Sequence, residues 1–286
     1  MTAKTVGFVG LGSMGSVLAS NMVASGHTVV AYDVAGSAGC PEQAGFAPSV
    51  DEVARRTDVV VLSLPDANVS EEVARGIAGA ADRRTTHVVD TSTIGIAAAR
   101  TIDGLLAAAG VGYVDAPVSG GVAGARARTL SVMFAGTDSD CQAVEQVLSG
   151  LSDRIRRVGD RPGMAQALKL ANNFLSAIAL VATSEAIAFG LSVGLDMGTM
   201  LEVLNTSSGQ SAATSDKFPN HVLTGRYAAG FTNSLMAKDL QLYLNATRSQ
   251  GTPSVLSPVT GTVWERFATA QPGADFTRIY TFVEGS

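Results

Sequence analysis

Residues 10–15 of this 286-residue chain read Gly10-Leu11-Gly12-Ser13-Met14-Gly15, between a short apolar run (residues 4–10) and a helical pattern (residues 16–25). Three glycines at this spacing constrain the fold more than any other feature, because a strand must turn sharply into a helix with no side chain in the way. Gly10 permits the tight turn, Gly12 lets a phosphate approach the backbone, and Gly15 lets helix and strand pack closely. The N–H groups that open the helix carry partial positive charge and point at the same spot. A second strand pattern (residues 27–33) then ends in the acid Asp33. Strand, glycine turn, helix and acid-tipped strand together specify a βαβ unit that holds a dinucleotide. A carboxylate at Asp33 accepts hydrogen bonds from a ribose diol and repels a 2′-phosphate. The next residues, Val34-Ala35-Gly36-Ser37, offer no Arg or Lys to hold that phosphate, so NAD is expected over NADP. Read as a plain turn acid, Asp33 would decide nothing.

The pattern continues as α/β. Ser49-Val50-Asp51-Glu52 has capping-box spacing and opens a short helix to Arg56. Residues 58–64 and 87–90 are apolar runs of the kind buried inside parallel sheets. In a doubly wound sheet the loops after such strands touch the cofactor. This places the loop of residues 64–69, from Leu64 and Pro65 to Val69, and the loop Thr91-Ser92-Thr93 at that edge. The hydroxyls of the second loop have two readings, a place beside the cofactor or an N-terminal cap for a helix over residues 95–109. Further strands are expected over residues 111–115, 130–135 and 154–158, with a helix over 139–148. Ser119-Gly120-Gly121 is a candidate anion nest, where two glycines turn N–H groups toward a carboxylate and the hydroxyl adds a donor; a simple turn fits equally well.

From Gly163 to Gly190 the chain is rich in Ala, Leu, Ile and Val, with no proline or internal glycine. A helix of about 28 residues, roughly 40 Å long at ~1.5 Å per residue, is expected. Lys169 interrupts it with a charge, and Asn173 lies one turn on along the same face. Such an ammonium and amide could protonate and orient a carbonyl oxygen, although a lone lysine on a helix is most often a solvated one. Beyond residue 190 only helical patterns follow, broken near Gly194, Gly209, Pro219, Gly230, Pro253 and Gly273. In Leu235-Met236-Ala237-Lys238-Asp239-Leu240 charge again interrupts an apolar stretch, and both charged residues would be content in solvent. The expected architecture is an NAD-binding α/β domain (residues 1–162) and an all-α substrate and dimerisation domain (residues 163–286), joined by the long helix.

An apolar fraction of 46% suffices for buried cores, and a net charge of -5 without a Lys/Arg run argues against nucleic acid. The first apolar run is too short for a signal peptide or membrane anchor, so a cytoplasmic protein is expected. Two cysteines and three scattered histidines suggest neither a disulfide framework nor a metal site.

Four stretches, Phe8-Val9 leading into the glycine turn, Asp115-Ala116-Pro117-Val118-Ser119-Gly120-Gly121, residues 169–173, and Lys238-Asp239-Leu240, stand in the order found in the β-hydroxyacid dehydrogenase family, which the whole chain resembles. That family includes 3-hydroxyisobutyrate dehydrogenases and tartronate semialdehyde reductases. The resemblance implies a Rossmann domain followed by a helical domain, with the active site between them and a homodimer or homotetramer as the assembly. It implies that residues 10–15 hold the cofactor, that Ser119, Gly120 and Gly121 bind a substrate carboxylate together with Thr93, and that Lys169 and Asn173 are catalytic. Leu64, Pro65, Thr93 and Lys238 would line the nicotinamide cleft, with Phe231 packing nearby. Burial and a positive nicotinamide would lower the lysine pKa toward a working pH. Two departures stand out. The family's Gly-x-Gly at the start of the long helix is Gly163-Met164-Ala165 here, which does not allow the same close backbone approach, and Ala212 replaces a common tryptophan. Imine reductases share the architecture but typically lack the lysine; a 6-phosphogluconate-type enzyme would have a longer helical domain, and a non-catalytic NAD-binding protein no reason to keep Lys169, Asn173 and Ser119 together.

Overall fold

Short runs of valine that alternate across a pleat give each strand two apolar faces, and the chain uses both. The computed structural model describes residues 4–285, which divide between Lys169 and Leu170 into two compact units. In the first, strands β1 (Thr5–Val9), β2 (Thr28–Tyr32), β3 (Gly45–Phe46), β4 (Val59–Leu62), β5 (His87–Asp90), β6 (Gly112–Asp115), β7 (Val118–Ser119), β8 (Ser131–Ala135) and β9 (Arg154–Gly159) form one sheet. Its order is β3-β2-β1-β4-β5-β6-β8-β7, with β9 beside β8. Pairing is parallel from β3 through β6, turns antiparallel where β8 meets β6 and β7, and is parallel again at β9. The order reverses between β1 and β4, and a sheet of this kind offers its ligand crevice at the carboxyl ends of those two strands.

Helices α1 (Gly15–Ala24), α2 (Val50–Arg56), α3 (Ala67–Gly79), α4 (Ile96–Ala108), α5 (Gly121–Arg126) and α6 (Asp138–Leu151) cover the sheet. On one face Val6, Phe8, Val59 and Val61 meet Leu18 and Met22 of α1 and Val144 and Leu148 of α6. On the other Val9, Val60, Leu62 and Val88 meet Val53 of α2, Ile77 of α3, and Ile102 and Leu106 of α4. Each large side chain buried this way contributes roughly 1.5–3 kcal/mol. The Ser49 hydroxyl accepts the Glu52 N–H at 3.2 Å, as the capping spacing predicts. The expected loop over residues 64–69 is only half a loop: Asp66 caps α3 by accepting the Val69 N–H at 3.1 Å, so Val69 lies in a helix. Its Asp-x-x-Val signal was hidden behind Pro65, which reads as a loop residue.

Helix α7 (Met164–Ser192) is unbroken for 29 residues. By length and composition it is the one described helix that could cross a membrane, yet Ala177, Leu180 and Ile187 are buried in the second unit's core. That unit adds α8 (Met197–Leu204), a π-helix (Ala213–Val222), α9 (Asn233–Gln250), α10 (Ser257–Ala270) and α11 (Ile279–Glu284). Pro219 sits inside the π-helix rather than ending a helix, since the wider turn with its i to i−5 bonds, such as Leu223 N–H to Phe218 O at 2.8 Å, leaves a proline room. Trp264 lies fully buried among Phe267, Phe276 and Met236, and its indole N–H donates to the Ala177 carbonyl at 3.3 Å.

Candidate active site

The three glycines of the first loop do different work. At Gly10 φ is +96°, and a Cβ would stand 2.3 Å from the Ser63 carbonyl oxygen at the end of β4. At Gly15 a Cβ would come within 1.9 Å of the Gly10 carbonyl oxygen. Both are therefore required by the protein's own packing. Gly12 is not, because a Cβ there would meet nothing within 4 Å. The space it leaves is what a pyrophosphate against the backbone needs, so the residues present fit a dinucleotide. No side chain caps α1 and no acid lies in its first turn, which leaves the helix N-terminus to an anion. Leu11 is buried in the core, Met14 packs against it, and Ser13 is exposed. Asp33 does more than wait for a ribose: Oδ2 accepts the Leu11 N–H at 2.6 Å and Oδ1 accepts the Ala35 N–H at 2.7 Å. A carboxylate has about four acceptor sites, so Asp33 can pin the glycine loop to the end of β2 and still receive two hydroxyls.

The loops after β4 and β5 are joined by hydrogen bonds. Leu64, half-buried, donates its N–H to Ser92 Oγ at 2.8 Å, while Pro65 beside it is exposed. Thr91 Oγ1 donates to the Leu62 carbonyl at 2.6 Å, and Ser92 N–H donates to Asp90 Oδ1 at 2.9 Å. Thr93 is half-buried in the same loop. None of these hydroxyls caps α4, whose N-cap is Gly95. The capping reading of Thr91-Ser92-Thr93 is thereby overturned, and the reason is a residue that the sequence did not single out. Gln166, fully buried in the first turn of α7, accepts the Ile94 and Gly95 N–H groups on Oε1 at 3.0 Å each. Its Nε2 donates to the Ser92 carbonyl at 2.9 Å and its backbone N–H to Asp115 Oδ2 at 2.9 Å. A polar amide three residues before Lys169 on an apolar helix was the available signal.

Asp90 and Asp115 are partners across β5 and β6 and are fully buried. Desolvation pushes their carboxyls up to about 6 and about 7, against the hydrogen bonds from Ser92 to the first and from the Gln166 and Gly163 amides to the second. Beyond them Ser119 is half-buried, and Gly120 and Gly121 have φ of +132° and +67°. Two successive positive φ angles restrict this turn to glycine.

Lys169 is only 7% exposed. Asn173, one turn along the same helix, is 5% exposed and its Nδ2 donates to Asp239 Oδ2 at 2.6 Å. Its Oδ1 accepts from Asn172 Nδ2 at 3.0 Å. Asp239 is 2% exposed, so it does not face solvent as its sequence context allowed, and Lys238 Nζ stands 3.4 Å from its Oδ1. Phe231 packs edge-on against Phe276 with ring centroids 5.6 Å apart. The Ala165 methyl is buried with Met133 and Ala135, which absorbs the departure from glycine there, and Ala212 is exposed at the start of the π-helix. Among the described residues no three His, Cys, Asp or Glu converge on one point.

Comparison with known proteins agrees with this geometry. Residues 5–159 match the family described as the NAD binding domain of 6-phosphogluconate dehydrogenase, and residues 163–283 that described as the NAD-binding of NADP-dependent 3-hydroxyisobutyrate dehydrogenase. The chain is 33% identical to the mitochondrial 3-hydroxyisobutyrate dehydrogenase of Drosophila melanogaster, over 99% of this chain and 90% of the relative. It is 34% identical to the 2-(hydroxymethyl)glutarate dehydrogenase of Eubacterium barkeri, over 91% and 88%. The solved Mycobacterium tuberculosis 3-hydroxyisobutyrate dehydrogenase with L-serine superposes with a TM-score of 0.92 at 30% identity, covering 99% of each chain. With its glycine cradle, its acid-tipped β2 and relatives of this kind along its whole length, the chain belongs to the β-hydroxyacid dehydrogenase family and is an NAD-dependent oxidoreductase.

Proposed function

We propose that the protein interconverts a small β-hydroxy acid of the 3-hydroxyisobutyrate type and its semialdehyde, with Lys169 as the proton-transfer residue. The observation that carries this reading is a lysine buried to 7% exposure near the start of an apolar helix, three residues past a clamp that ties that helix to the cofactor-side loops. Burying a cation in this way is costly, and a charged group held at such an edge is a functional-site candidate. NAD, when bound, supplies the two-electron acceptor. In oxidation a neutral Lys169 takes the hydroxyl proton; in reduction its ammonium returns it to the carbonyl oxygen. Asn173, its amide set by Asp239 and Asn172, holds the oxygen or the lysine in register. Ser119, Gly120 and Gly121 receive the carboxylate, and Thr93 adds a hydroxyl. Leu64, Pro65, Val69, Phe231 and Lys238 are assigned to cofactor binding, and Asp33 to the preference for NAD over NADP. Residues 1–162 serve as the NAD-binding domain and 163–286 as the substrate and dimerisation domain.

The test is Lys169→Ala assayed with 3-hydroxyisobutyrate and NAD. It should lower kcat by at least ~100-fold, the lower range for a lost acid–base catalyst, with the NAD Kd little changed. A residual kcat above about a tenth of wild type would move proton transfer to another group.

The working form is a cytoplasmic homodimer or homotetramer. What supports it is the outer face of α7, where Leu175 and Phe189 are 63% and 71% exposed and stand two heptads apart with exposed Ala182 midway between. An apolar stripe of this kind calls for a partner, and a second copy of the same helix offers the matching surface.

A further inference from the structure

We propose that Gln166 is a positioning residue for proton transfer, locking the turn of α7 that carries Lys169 to the loop after β5 and to Asp115 at the end of β6. The proposal rests on the assignment of Lys169 made above. Four hydrogen bonds converge on Gln166: Ile94 and Gly95 donate to Oε1 at 3.0 Å each, Nε2 donates to the Ser92 carbonyl at 2.9 Å, and its own N–H donates to Asp115 at 2.9 Å. Ser92 extends the chain of bonds to the Leu64 N–H at 2.8 Å and, through its own N–H, to Asp90 at 2.9 Å. The side chain is 0% exposed. A leucine would fill that volume but leave the Ile94 and Gly95 N–H groups and the Ser92 carbonyl unpaired, so the amide answers to the loop backbone it satisfies and not to packing alone. What the amide adds is direction, because each of its bonds holds only when the first turn of α7 keeps one rotation and one height relative to the loops.

Lys169 is three residues on, a neighbour on the same side of the helix. A turn of the helix start by one residue would therefore swing the ammonium through about 100°. Proton transfer demands heavy atoms within roughly 3.2 Å, and misplacing a catalytic group by about 1 Å costs on the order of 100-fold. The Leu64 and Ser92–Gly95 segments sit at the carboxyl edge of the sheet where the cofactor is held, so one side chain sets the distance between the proton donor and the surface that positions the reacting carbon. The isolated cap of α4 and the start of α7 are satisfied by the same residue, and neither loop can shift without breaking a bond to it.

The experiment is Gln166→Leu, alone and in a Lys169→Ala background, measured as kcat, KM for 3-hydroxyisobutyrate and Kd for NAD. Expected for the single variant is a 10- to 100-fold fall in kcat with KM and Kd each within about threefold of wild type. In the Lys169→Ala background the same change should lower the residual kcat by less than threefold, since a positioner has nothing left to position. Gln166→Glu, which keeps the acceptor for Ile94 and Gly95, should lose less than Gln166→Leu, and it answers the same questions if the leucine variant does not fold. An unchanged kcat, a loss carried by KM or by the NAD Kd, or full additivity with an inactive Lys169→Ala overturns the proposal and leaves the lysine assignment standing. Should Lys169→Ala itself keep more than a tenth of wild-type kcat, the lysine assignment falls and takes this proposal with it.

Discussion

Replacing Asp115 by Asn should make the protein's stability less dependent on pH. The Asp115 carboxyl is fully buried, and desolvation raises it from 3.8 to about 7, with buried Asp90 alongside adding repulsion to any charge. The folded state thus holds a proton that the unfolded state releases. This contribution is fully present below about pH 3.8 and is lost as pH rises through about 7. Between pH 5 and pH 8 the wild type forfeits on the order of 2–3 kcal/mol from this one group, at ~1.4 kcal/mol per unit over the two units that separate pH 5 from its folded value. Asn cannot titrate and pays no such penalty. Its amide would still accept the Gln166 N–H, and its other end would meet the place where Oδ1 now lies buried without a hydrogen-bond partner, a cost that is the same at every pH. For a unit of this size each kcal/mol moves Tm by roughly 2–4 °C, so the Tm of Asp115→Asn minus that of wild type should rise by about 5–10 °C from pH 5 to pH 8. Scanning calorimetry at four pH values without cofactor measures it. A difference that stays constant within ~2 °C would show that Asp115 is not held protonated by the fold.

Two further outcomes are expected. Asp33→Ala should narrow the preference for NAD over NADP in kcat/KM, and it should also raise the NAD KM severalfold, because the carboxylate now holds the Leu11 and Ala35 amides; a wild type that prefers NADP would refute the assignment. Leu175→Glu combined with Phe189→Glu places like charges on the exposed stripe of α7 and should yield a ~29 kDa particle in sedimentation at micromolar concentration, whereas an assembly unaffected by both would place the interface elsewhere.

The sequence carried the sheet and the glycine loop because both are written in local terms: valine runs read as buried strands, and Gly10, Gly12 and Gly15 have a spacing that few other structures require. The long helix was equally plain, since nothing in residues 164–189 could stop it. What stayed hidden was set by tertiary partners. Asp239 looked like one more solvated acid until Asn173 was seen to donate to it, and Gln166 looked like a helix former until its amide met three groups more than seventy residues away. Helix α3 is masked in the sequence because Pro65 reads as loop beside the Asp66 cap, and Pro219 reads as a breaker because the π-helical turn that houses it has no sequence pattern of its own.

Trp264 is the chain's single tryptophan, and it is sealed inside the helical unit against the Ala177 carbonyl. Its emission is therefore a reporter of that unit alone, sensitive to solvent entry around α10 and silent about the sheet. Far-ultraviolet circular dichroism, by contrast, sums over both units. A heating curve in which the two signals separate would reveal that one half of the molecule melts while the other stays folded, and substitutions in the glycine loop would shift the second curve and leave the first in place.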